Sequence, residues 1–111
     1  ITRSAMKASL ELYHTGDGIH PTELGHLLMA KQILDGLGIK QPKEDLRAAW
    51  QAMQTNPLFD LVSKHRVLRS EGWLPYIGYT RGTMTKSLDI VPTEDQAAEL
   101  QMQIDRLRRG Q

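Results

Sequence analysis

The segment Asp17-Gly18-Ile19-His20-Pro21-Thr22-Glu23-Leu24-Gly25-His26 decides how the chain reads. It sets a carboxylate three residues before an imidazole, on a glycine-containing turn, directly ahead of an apolar helix. Thr22 is a good N-cap, because its hydroxyl can accept from the free N–H groups of a first helical turn, and Pro21 precedes it. From Glu23 onward Leu24, Leu27, Leu28, Ala30, Ile33 and Leu34 recur at three- and four-residue spacing. That pattern predicts a helix with an apolar face broad enough to be well buried, ended by Gly36 and Gly38. Gly25 costs such a helix about 1 kcal/mol relative to Ala. Its presence predicts close packing against a neighbouring element.

Towards the N-terminus, Ala5, Met6, Leu10 and Tyr13 are spaced as a short helix over residues 3–13, broken by Gly16 and Gly18. Towards the C-terminus, Gln41-Pro42-Lys43 reads as a linker into a second unit. Pro42 favours a helix start, and Leu46, Ala49, Trp50 and Met53 follow at helical spacing. Asn56-Pro57 interrupts, and Pro57 opens a further helix carrying Leu58, Leu61, Val62, His65 and Leu68. Residues 72–92 contain Gly72, Pro75, Gly78, Gly82 and Pro92 among Trp73, Tyr76 and Tyr79, which predicts an ordered loop anchored by its aromatics. Thr93-Glu94-Asp95-Gln96 has the form of a capping box. Ala97, Leu100, Ile104 and Leu107 then make a narrow apolar stripe on a final helix, with Arg106, Arg108 and Arg109 at its end.

The 111 residues carry a net charge of +1 and no cysteine. Residues 1–39 hold three Lys/Arg against four Asp/Glu, and residues 40–111 eleven against nine, so neither part has the basic excess of a nucleic-acid binder. The lack of cysteine removes disulfides, thiolate metal sites and a Cys nucleophile. No apolar run approaches the roughly 20 residues that span a bilayer. The basic clusters Lys64-His65-Arg66 with Arg69, and Arg106 with Arg108 and Arg109, read as solvated helix faces.

Asp17 and His20 carry the chemistry. A serine nucleophile needs a base to take its proton, and imidazole suits that role near neutral pH. The ring works only if one nitrogen is free and the other is held, and a carboxylate accepting from the second nitrogen does both. Two other readings compete. Asp17 could simply cap turn N–H groups beside an exposed His20. Alternatively His14, Asp17, His20 and His26 could form a zinc set, although their spacing fits no common zinc pattern. His26 in the first helical turn reads as structural, and His14 as a surface or loop residue.

The string Asp17 to His26, followed by Leu27-Leu28-Met29-Ala30, resembles the C-terminal signature of the SGNH (GDSL-type) serine hydrolases. The likeness covers about residues 10–39. It implies that Asp17 and His20 are the acid and base of a Ser-His-Asp triad acting on an ester, whether an acyl ester, an acetylated sugar or a lipid. It implies no metal and no organic cofactor. The family's nucleophile lies in a Gly-Asp-Ser motif and its oxyanion hole adds a Gly and an Asn from two further motifs. None of these is found here, since Gly16-Asp17-Gly18 lacks the serine and Ser4, Ser9, Ser63, Ser70 and Ser87 lack the context.

The expected fold is therefore mainly α for these residues. Residues 1–39 would be the C-terminal end of a three-layer α/β hydrolase domain, and residues 40–111 a helical extension. Its Trp73-containing loop and final helix resemble the ends of some extensions in the family's bacterial members, and that likeness points to a bacterial source. The first two helices should expose apolar surface, because the sheet they would pack on is not encoded here, and this chain alone should be inactive. The competing account is a non-catalytic helical interaction module with a vestigial hydrolase end.

Overall fold

The computed structural model describes residues 3, 7, 12–17, 19–79 and 89–110. They are mainly helical and include no strand, only an isolated antiparallel bridge between His14 and Pro21. Four helices lie wholly among the described residues, α1 (Glu23–Gly36), α2 (Leu46–Gln54), α3 (Pro57–Tyr76) and α4 (Ile90–Arg108). The chain divides into two compact units, Ile1–Gln54 and Thr55–Gln111. Among the described residues no helix is long and apolar enough to cross a membrane.

In the first unit α1 starts where its cap residue dictates. Thr22 has extended backbone and its Oγ1 accepts from the Gly25 N–H at 3.1 Å. The helix closes at Leu37, whose N–H donates to Ile33 O at 3.0 Å, and Ile39 N–H reaches Leu34 O at 2.9 Å. α2 packs on α1. It begins at Leu46 rather than at Pro42, with Asp45 Oδ2 accepting from Ala48 N–H at 3.3 Å. Ala49 is its buried contact residue. Of the apolar set on α1, Leu24, Leu27, Leu28 and Leu34 are half-buried, while Ala30 is exposed and Ile33 is 64% exposed. Met29, Leu37 and Ile39 are exposed as well. The face is therefore only partly covered within these residues, and it is less buried than its breadth predicts. Leu12 and Tyr13 are helical, as are Arg3 and Lys7. Ala5, Met6 and Leu10 of the expected N-terminal helix lie outside the described residues.

The second unit is a helical hairpin of α3 and α4. Asn56 caps α3 through Oδ1, which accepts from Leu58 N–H at 2.9 Å, and Pro57 takes the first helical position, where its missing N–H costs nothing. Two expectations fail here. Residues 72–76 are not loop but the last turns of α3. Gly72 is where α4 comes closest, since a Cβ at that position would sit 2.8 Å from Thr93 Cγ2. Pro75 stands in the final turn, where the carbonyl it leaves without a donor belongs to exposed Glu71. Gly78, with φ of +85°, is the residue that stops the helix, and Tyr79 N–H donates back to Leu74 O at 3.0 Å. Residues 80–88 of the expected loop, Gly82 among them, lie outside the described residues.

The second failure is the capping box at Thr93. α4 starts earlier, at Ile90, capped by Asp89 Oδ1 accepting from Val91 N–H at 3.2 Å. Pro92 falls in the first turn, where N–H groups have no helical partner anyway. Thr93 is 3% exposed and its Oγ1 donates to Asp89 O at 2.6 Å. Ala97 and Ile104 of the expected stripe are buried, Leu100 is half-buried, and Leu107 is exposed. Arg106, Arg108 and Arg109 are exposed.

The hairpin is pinned by Glu94. Its Oε1 accepts from the Trp73 indole N–H at 2.6 Å and from Arg69 Nε at 3.1 Å. These two donors, the indole first, hold the Glu94 carboxyl below its ordinary range. Trp73 also meets Tyr76 edge-on, with ring centroids 5.5 Å apart. The Gly72–Thr93 contact gives a stability prediction. Gly72→Ala should destabilise the hairpin by about 1–3 kcal/mol, because the Thr93 hydroxyl bond fixes the methyl that the new Cβ meets. Combined with Thr93→Ser, which keeps the hydroxyl and removes the methyl, the same substitution should cost nothing. A double-mutant cycle by urea denaturation checks this; equal costs in both backgrounds would contradict it.

Candidate active-site loop

Residues 14–17 and 19–21 belong to a loop closed at its neck. The His14–Pro21 bridge sets the two sides of the neck next to each other, Thr22 N–H donates to Tyr13 O at 2.9 Å, and Thr22 Oγ1 donates to Leu12 O at 2.8 Å. One step inside, Thr15 N–H donates to His20 O at 2.8 Å. Thr22 thus serves two ends at once. Its side chain caps α1, and its hydroxyl and main-chain N–H tie that helix to the helical residues Leu12 and Tyr13 at the other end of the loop.

Gly25 makes the docking possible. A Cβ on Gly25 would lie 2.2 Å from Tyr13 O and 3.0 Å from Pro21 Cβ. The close packing expected of this glycine is with the Tyr13 backbone and Pro21, which are the two shoulders of the loop. Gly25→Ala should lower the stability of this unit by about 1–3 kcal/mol. At an unhindered helical position the same change would stabilise by about 1 kcal/mol. Urea denaturation therefore decides by sign, and a gain in stability would rule out the close approach.

Within the loop Asp17 is saturated on one oxygen and committed on the other. Its Oδ1 accepts from Thr15 Oγ1 at 2.7 Å, Ile19 N–H at 2.9 Å and His20 N–H at 2.9 Å. Its Oδ2 meets His20 Nδ1. The His20 side chain, then the His20 and Ile19 N–H groups and the Thr15 hydroxyl, hold the Asp17 carboxyl well below its usual value of 3.8. An ionised carboxylate can only accept, so the proton between the two side chains is on Nδ1. Nε2 is then the unprotonated nitrogen of the neutral ring, the one able to act as a base. The His20 side chain is 75% exposed, and Asp17's is 45% exposed.

Asp17 and His20 are the sequence-derived pair that the fold brings together. The simple capping reading of Asp17 is also partly correct, since the carboxylate accepts two turn N–H groups, but the ring contact adds to it. His26 is exposed on the first turn of α1, where its N–H donates to Thr22 O at 2.9 Å. His14 is a loop residue, as expected, half-buried at the neck, and its enclosed Nδ1 has no hydrogen-bond partner among the described residues. Among the described residues no three His, Asp or Glu side chains converge as a metal site requires. Nothing in the local sequence marks Thr15, whose hydroxyl reaches Asp17 Oδ1 through the shape of the loop. No family model, curated protein or solved structure matches the chain.

Proposed function

We propose that Asp17 and His20 are the acid–base end of a serine ester hydrolase of the SGNH type. The observation that carries this reading is the asymmetry of Asp17, with Oδ1 taken up by three donors and Oδ2 left to His20 Nδ1. A turn that needed only a cap would not require the ring contact, and a base that must present one nitrogen requires it. The uncovered apolar positions Met29, Ile33 and Ile39 in the same unit also support a setting in which further structure packs on it.

In the proposed reaction a serine from a Gly-Asp-Ser motif outside these residues attacks the ester carbonyl carbon. His20 Nε2 takes the hydroxyl proton, and Asp17 stabilises the imidazolium that forms. As the tetrahedral intermediate collapses, His20 returns that proton to the leaving alcohol and an acyl-serine remains. Water then attacks the acyl carbon, His20 takes its proton and passes it to the serine, and the carboxylic acid leaves. The oxyanion donors, like the serine, come from outside these residues.

The test is enzymatic. The protein in which this chain follows a Gly-Asp-Ser motif, about 150 residues or more before Ile1, should hydrolyse p-nitrophenyl acetate with saturation kinetics. The 111-residue chain alone should show only the background of a free imidazole. A preceding domain without such a serine would remove the enzyme reading and leave a helical interaction module.

A further inference from the structure

Thr15 contacts both members of the pair, through different atoms. Its main-chain N–H donates to His20 O at 2.8 Å, which fixes the backbone that carries the imidazole. Its hydroxyl donates to Asp17 Oδ1 at 2.7 Å, the shortest of the three bonds to that oxygen. The other two donors, the Ile19 and His20 N–H groups, lie on the C-terminal side of Asp17. Among the described residues Thr15 is the only one that holds the carboxylate from the N-terminal side. A carboxylate swings about its last torsion with little resistance, because that torsion has broad wells. Three donors reaching Oδ1 from both directions along the chain restrain that torsion, and the torsion determines whether Oδ2 meets the imidazole nitrogen.

We propose that Thr15 is a positioning residue of the Asp17–His20 pair, its hydroxyl setting the carboxylate plane so that Oδ2 is delivered to His20 Nδ1. This rests on the hydrolase reading for its catalytic consequence, but not for its structural content. The hydroxyl bond is charge-assisted, because Asp17 is ionised, which makes it one of the stronger bonds available to an exposed loop. The branched side chain adds to this, since its χ1 is restricted before the bond forms. Removing the hydroxyl leaves the main-chain bond to His20 O in place, so a substitution can separate carboxylate control from loop closure.

The experiment measures the ring tautomer directly. The 15N shifts of the His20 imidazole in the full 111-residue chain, at a pH where the ring is neutral, report which nitrogen carries the proton. The wild type and Thr15→Ser should show predominantly the Nδ1–H form. Thr15→Val, the same shape without the hydroxyl, should show a mixture with the Nε2–H form raised at least about twofold, and Asp17→Asn should lose the preference altogether. In the active enzyme Thr15→Val should lower kcat about tenfold with KM unchanged, and Thr15→Ser should restore it.

Wild-type tautomer shifts in Thr15→Val would overturn the proposal. If Thr15→Val loses its helical circular dichroism, Thr15→Ala replaces it in the same measurement. Loss of helix in both would make Thr15 a residue of the fold and would equally overturn the proposal. The two claims fail separately. A His20→Ala enzyme of full activity alongside a shifted Thr15→Val tautomer removes the hydrolase and keeps the positioning. An inactive His20→Ala alongside an unshifted Thr15→Val does the reverse.

Discussion

On the proposed hydrolase reading, His20→Ala in a protein that carries this chain together with a Gly-Asp-Ser serine should lower kcat for ester hydrolysis by about six orders of magnitude. The size follows from what the imidazole does. Without it the serine hydroxyl keeps its proton at neutral pH, and the leaving alcohol has no positioned acid. Both the formation and the breakdown of the acyl-enzyme then lose their proton shuttle. Substrate affinity should change little, because the exposed ring adds no large apolar contact to a bound ester. The fold should also survive. Thr15 N–H bonds the His20 backbone, not its ring, and the neck at His14–Pro21 is independent of the side chain. An unchanged helical signal with lost turnover is the expected pattern, checked by circular dichroism and steady-state kinetics on the same samples.

Asp17→Asn should lower kcat by about four orders of magnitude, through a different route. The amide of Asn presents a donor as well as an acceptor, so Nδ1 is no longer compelled to carry the proton. The ring can turn its base nitrogen towards residue 17 and its N–H towards the substrate. The imidazolium of the transition state also loses its counter-charge. The pH dependence separates Asp17 from His20. The Asp17 carboxyl is held below 3.8, so it remains ionised down through the ordinary carboxylate range. Its contribution to loop stability is fully present above about pH 4 and is lost only as the pH falls through the lowered value. Any loss of rate between pH 8 and pH 5 therefore cannot come from protonation of Asp17, and Asp17→Asn should depress the rate throughout that window.

The two features that were legible in the sequence are those fixed by near neighbours. Thr22 announces the start of α1 because a cap bonds N–H groups two or three residues on, and Pro57 announces that of α3 because proline suits the first helical position. Asp17 and His20 announce their pairing because one turn separates them. What was not legible depends on partners far along the chain. Gly72 and Pro75 read as loop because nothing local shows that Thr93 packs against Gly72, or that Pro75 falls in a last turn closed by Gly78. Thr93 reads as a cap because its hydroxyl and Gln96 fit that pattern. In the fold the helix has already begun at Ile90, and the hydroxyl donates backwards to Asp89 O. Gly25 stands between the two cases. The sequence marks it as needing a close neighbour, but that the neighbour is the Tyr13 carbonyl appears only in three dimensions. The tautomer of His20 was not legible either, because it follows from the ionisation of Asp17 and not from residue spacing.

The central claim is that the Asp17–His20 pair activates a serine. Its most direct measurement is the rate at which a fluorophosphonate ester labels that serine, compared between the wild-type protein and His20→Ala. The reagent bonds only to an activated hydroxyl and needs no recognition of the natural substrate. The account predicts one labelled serine, in a Gly-Asp-Ser motif, modified rapidly in the wild type and negligibly in His20→Ala. Equal labelling in the two proteins, or no labelled serine in either, would contradict it.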